Sequence, residues 1–112
     1  MTRNGASLMS GIPELLLLRL LAKQEMYGYE LARNIRLVTK DAIALAEGVL
    51  YPALHSLEQR KLLRSTRRKV EGRTRVYYQT TPAGLRRLEH LEQEWQRLSS
   101  GVTAALLALP NG

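Results

Sequence analysis

The chain has no cysteine, only two histidines among its 112 residues, and no apolar run long enough to cross a bilayer. Each shortage removes a class of function. Without thiols there are no disulfides and no thiolate metal sites, which fits a reducing compartment. His55 and His90 lie far apart with no ligand-like spacing around them, so no metal centre is expected. The longest apolar stretch, Leu15 to Ala22, is broken by Arg19, and the N-terminal MTRNGASLMSG lacks the charged-then-apolar order of a secretory signal. The expectation is a soluble, cytoplasmic protein with no membrane partner. No nucleophile, base and orienting group gather along the chain and no glycine-rich phosphate loop appears, so neither an enzyme nor a bound cofactor is expected.

What is present is positive charge in one place. The formal net charge is +7, and the segment from Arg60 to Arg75 holds eight Lys and Arg residues against Glu71 alone, leaving the rest of the chain balanced. A cationic block of this kind is either a solvated hairpin or a contact for a polyanion, and its concentration favours the polyanion. A chain of this length forms one small domain with a modest core, which a second subunit would stabilise.

Taken in order, residues 1–10 read as a small, polar arm. Ser10 can cap a first helix, Pro13 and Glu14 suit its opening turn, and Ile12, Leu15, Leu16, Leu18 and Leu21 carry it to about Lys23. QEMYG breaks the pattern, with Gly28 available for a turn. A second helix follows from about Tyr29 to Val38, burying Leu31, Ile35 and Val38. After the connection TKDAIALAEG, a third helix runs from about Gly48 to Lys61. Its Leu50, Leu54 and Leu57 share one face, while Tyr51, Pro52, His55 and Gln59 project from the other. Pro52 is tolerated in a first turn and so places the helix start near Gly48. Two short helices with a polar outward face on the second match a helix-turn-helix.

Beyond Lys61 the period becomes that of strands. Leu62 to Val70 and Arg75 to Thr81, joined through EGRT, predict a two-stranded wing. Lys69, Arg73 and Arg75 near its tip suit phosphates or a minor groove, and Val76 with one of Tyr77 and Tyr78 should pack inward. Thr81 before Pro82 starts a last helix whose Leu88, Leu91, Trp95, Leu98, Val102, Ala105 and Leu109 step by 3 and 4 as a heptad seam. That is more apolar surface than so small a domain covers, and a homodimer is expected along it, with a kink or an end at SSG (99–101) as an open possibility. The fold class expected is α+β, mostly α: a winged helix-turn-helix over 8–81 with a two-stranded wing, and a C-terminal dimerisation helix over 82–109.

The segments YGYEL (27–31), EGVLYPALHSLEQRKLL (47–63), EGRTRVYYQTT (71–81) and TPAG (81–84) together resemble the PadR family of winged-helix transcriptional regulators, in its small form with a single C-terminal helix. The resemblance implies a homodimer whose third helices enter major grooves, whose wings reach the flanking backbone or minor groove, and whose C-terminal helices form much of the dimer contact; a symmetric dimer in turn calls for a pseudo-palindromic operator. The resemblance carries Tyr51 over as a DNA contact and Gly72, with its basic neighbours, as the wing tip. It also implies that an aromatic at the place of Trp95 can face a cavity between subunits and stack with a flat aromatic effector, which would release a repressor from DNA. A plain packing role for Trp95 in the seam is the other reading. Val49 stands where the family often has Thr, removing a hydroxyl from a phosphate-facing position, and Thr80 replaces the usual apolar residue at the wing's exit.

The candidate DNA-contacting residues are therefore Tyr51, His55, Gln59, Arg60, Lys69, Gly72, Arg73 and Arg75; a partly buried core place is the other reading of Tyr51, His55 is open between a base edge, a phosphate and an idle surface position, and Gln59 and Arg60 suit phosphate better than bases. Leu88, Leu91, Trp95, Leu98 and Val102 are the candidate dimer contacts. A winged-helix module that binds protein without reading DNA is the competing class, disfavoured because protein interfaces deplete such concentrated charge at their centres.

Overall fold

A computed structural model describes residues 3–109 and 111, with side chains from residue 11 onward. The elements are α1 (Arg3–Lys23), β1 (Met26–Tyr27), α2 (Gly28–Val38), α3 (Glu47–Gln59), β2 (Leu63–Val70), β3 (Arg73–Thr80) and α4 (Pro82–Ala108). The strands form one antiparallel sheet in the order β1-β3-β2. This is the expected winged helix-turn-helix with its long last helix. One short strand is added: Met26 and Tyr27 pair with Tyr78 and Tyr77, a two-residue ladder too short to leave a periodic signal in the sequence.

The core is leucine-built, and α1 runs through its centre. Leu17, Leu18 and Leu21 are fully buried, against Leu31 and Ile35 of α2, Leu50, Leu54 and Leu57 of α3, Leu63 and Tyr78 of the sheet, and Leu88 and Leu91 of α4. Each fully buried leucine contributes about 1.5–3 kcal/mol relative to exposure, so this cluster is what holds the elements together. Thr80, the exception at the wing's exit, is buried because its hydroxyl donates to the Leu18 carbonyl at 2.9 Å and stitches β3 to α1.

Several local expectations are corrected. The helix α1 starts at Arg3, so residues 3–10 continue it instead of forming an arm, and the helix passes through Ser10 without using it as a cap; Met1 and Thr2 lie outside the described residues. Val38 is 61 % exposed: it falls at the end of α2, where the chain turns away through Lys40 and Asp41, both at positive φ. Gly28 opens α2 rather than making a turn, and what it provides is space, since a Cβ there would lie 2.5 Å from the Tyr51 hydroxyl oxygen. The helix α3 begins at Glu47, which puts Pro52 in its second turn at the loss of one backbone hydrogen bond. The helix α4 runs unbroken through Ser99, Ser100 and Gly101.

Thr81 does cap α4, accepting the Gly84 amide at 3.0 Å, with Pro82 at the first helical position. The same hydroxyl donates to the Lys61 carbonyl at 2.7 Å, and the Thr81 amide to Leu62 at 3.0 Å. The start of α4 is thereby fastened to the turn between α3 and β2.

Candidate nucleic-acid interface

The helix α3 lies on one face of the sheet, where Glu58 accepts a short hydrogen bond from Ser65. Its buried edge is Leu50, Leu54 and Leu57; His55 and Gln59 are exposed, as is Val49. Tyr51 is only 37 % exposed. Its ring leans across onto Gly28, so it spaces α3 from the start of α2 and offers an edge, not a free side chain, to a ligand. The connection from α2 to α3 is held by Thr39, whose hydroxyl donates to Ile35 at 2.7 Å and accepts the Ile43 amide at 3.1 Å.

The wing closes through Glu71 and Gly72 at φ of 51° and 78°, the two successive positive values of a type I′ turn that matches strand twist. Val70 pairs with Arg73, so Arg73 and Thr74 belong to the strand, not to the loop. Strand alternation then sorts the wing's cations. Leu63, Ser65, Val76 and Tyr78 face the helices, and by the same parity Arg67 and Lys69 continue that face beyond the covered core, both exposed. Arg64, Arg68, Arg73 and Arg75 point to the opposite face, the back of the sheet.

The back-face arginines are mostly engaged within the chain. Arg64 donates to Gln79 at 3.0 Å, Arg68 ion-pairs with Glu25 and lies over the Tyr77 ring at 4.6 Å, and Arg75 lies over the Tyr27 ring at 4.5 Å. Arg75 is therefore not the free tip cation expected from the sequence. Arg60 is also occupied: its guanidinium meets Glu14 at 3.2 Å, and the same carboxylate oxygen takes Arg87 at 3.0 Å, tying α1, the end of α3 and α4 together. Lys69, Gly72 and Arg73 are exposed.

Arg67 joins Lys69 on the front face and was not among the candidates taken from the sequence. Its signal was parity with the buried tyrosine, which becomes usable once Tyr78, and not Tyr77, is known to face inward. Burial raises the Tyr78 phenol above its usual pKa, and the nearby Glu58 and Tyr51 add to the shift.

Leu88 and Leu91 are already buried against the chain's own core and so are not free for a second subunit. Trp95 is 41 % exposed, and beyond it Val102, Leu106, Leu107 and Leu109 are bare. Trp95 and Leu98 border a gap of about 20 Å³ against Gly11, Ile12 and Leu15 of α1.

No group of three or more His, Asp or Glu side chains is placed to hold a metal among the described residues, and no helix there is long and apolar enough to cross a membrane. The family model of the PadR-like transcriptional regulators matches residues 17–90. The transcriptional regulator Rv3488 of Mycobacterium tuberculosis is 40 % identical over 63 residues, which is 56 % of this chain and 56 % of that protein. Among solved structures, a transcriptional regulator from Clostridium thermocellum superposes with a TM-score of 0.82 at 28 % identity, covering 89 % of this chain and 98 % of the other. A PadR family regulator from Eggerthella lenta does so with a TM-score of 0.75 at 31 % identity, over 94 % and 90 %. With the match running from the centre of α1 through α3 and the wing into α4, this chain belongs to the PadR-like family of transcriptional regulators.

Proposed function

We propose that the protein is a homodimeric, sequence-specific DNA-binding repressor. It reads bases from the exposed side of α3 and grips phosphates with the front of its wing. The observation that carries this reading is the sorting of charge: Arg67 and Lys69 extend the sheet face on which α3 sits, so one approaching duplex can meet both. His55 and the exposed edge of Tyr51 are the base-side candidates, with Gln59, Arg67, Lys69 and Gly72 on the backbone. Arg60 joins them only by leaving Glu14.

The dimer would form along α4 from Trp95 outward, where apolar side chains lie uncovered by the chain itself. A symmetric dimer calls for a pseudo-palindromic operator. The gap beside Trp95 holds about one water in the single chain. A flat aromatic effector would therefore need room supplied across the seam by a second Trp95, and quenching of Trp95 fluorescence by planar aromatics tests for it.

The function itself is tested by fluorescence anisotropy on genomic fragments selected for binding. With Arg67 and Lys69 of two subunits on phosphates, log affinity should fall against log salt with a slope of about −4. A titration that stays flat between low and moderate salt overturns the reading.

A further inference from the structure

The back of the wing carries side chains to which the DNA reading gives no task. Arg75 over Tyr27 and Arg68 over Tyr77 are joined by an edge-to-face contact of the two rings at 5.5 Å and by the ion pair of Arg68 with Glu25. These groups come from the α1–β1 connection, from β1 and from both wing strands. The short strand β1 supports β3 only at Tyr77 and Tyr78. From there to the turn the hairpin has no third strand beside it among the described residues, and a two-stranded ribbon in water holds its own shape poorly. Arg68 and Arg75, which pair with each other across the hairpin, start just beyond that support and reach back to it.

We infer that Tyr27, Tyr77 and Glu25 are positioning residues for DNA binding. They grip Arg75 and Arg68 from behind and fix the angle at which the front of the wing, with Arg67 and Lys69, meets the DNA backbone. This rests on the DNA-binding reading above. Without the grip, a swinging hairpin would have to be ordered at the moment of binding, and that ordering lowers affinity although no DNA contact has been removed. It also gives Arg75 a role inside the protein instead of on a phosphate.

The test is anisotropy on one selected DNA fragment with the full chain and five variants: Tyr27→Leu, Tyr27→Phe, Arg75→Met, the double variant Tyr27→Leu/Arg75→Met, and Arg67→Ala. The Tyr27 amide, which bonds Glu30 at 3.3 Å, is present in all of them, and circular dichroism melts check the fold. Tyr27→Leu and Arg75→Met should each weaken binding about two- to fivefold, the range of an exposed cation–π pair. The double variant should be no weaker than either single one, and Tyr27→Phe, which keeps the ring, should bind as wild type. Arg67→Ala should flatten the salt slope by about 0.9 per subunit.

If Tyr27→Leu binds as wild type while Arg75→Met weakens binding and flattens the slope, Arg75 is a phosphate contact and the inference fails. Losses that multiply in the double variant also overturn it. In both cases the Arg67→Ala result still stands for DNA binding. A wild-type chain that binds no fragment at low salt sinks the inference and the underlying reading together.

Discussion

Two glycines of the same helix should respond to alanine with opposite sign. At Gly84 a Cβ would lie 2.2 Å from the Leu62 carbonyl oxygen and 2.6 Å from the Thr80 methyl. The first overlap is about 1 Å inside ordinary contact, and it is against backbone, which cannot rotate away. To relieve it α4 must lift, which strains the Thr81 cap and the bonds from Thr81 to Lys61 and Leu62. Overpacking of this kind costs about 1–3 kcal/mol and a lost cap about 1 kcal/mol more, so Gly84→Ala should destabilise by about 2–4 kcal/mol. At Gly101, deep in α4, a Cβ meets nothing within 4 Å. There Gly101→Ala should stabilise by about 0.5–1 kcal/mol through chain entropy alone. Urea titrations read both: with a typical slope of about 1–3 kcal/mol per molar, the two midpoints should separate by at least about 0.8 M. A Gly84→Ala midpoint within error of wild type would refute the close approach of α4 to the α3–β2 turn.

Charge placed on the seam should separate assembly from folding. Trp95→Glu with Val102→Glu should give a helical monomer in sedimentation, since both positions are exposed in the single chain, whereas Leu88→Glu should unfold it; a dimer that survives the first pair would refute the seam. Alkaline pH should expose Tyr78. Burial first, then Glu58 and Tyr51, raise its phenol above the unfolded value of about 10. The folded state therefore holds its proton longer than the unfolded state does, and the stability from this group is complete below about pH 10 and lost as pH rises through the folded value. Tyr78→Phe should remove that part of the alkaline loss in denaturant titrations run from pH 9 upward, and identical pH profiles for the two proteins would count against the buried placement.

Most of the elements, β1 and the start of α1 excepted, and the kind of surface are legible along the chain. Leucine spacing marked α3, Thr81 and Pro82 marked the start of α4, Glu71 and Gly72 marked the wing's turn, and the cations between Arg60 and Arg75 pointed to a polyanion. These signals are local: a period, a cap and a turn residue each act within a few positions along the chain. Which faces are already covered and which charges are already paired depends on contacts between distant parts of the chain. Leu88 and Leu91 belong to the same stripe as Trp95, yet α1 covers the first two and leaves the third half-bare. Glu14 reaches Arg60 across 46 positions and Arg87 across 73, separations that no local pattern encodes. The inward turn of Tyr78, fixed by its packing on the core, set the parity that sends Arg67 and Lys69 forward and Arg68 and Arg75 back. A strand's alternation supplies two faces but does not label them, and it is the hydrophobic core that chooses which one the protein keeps.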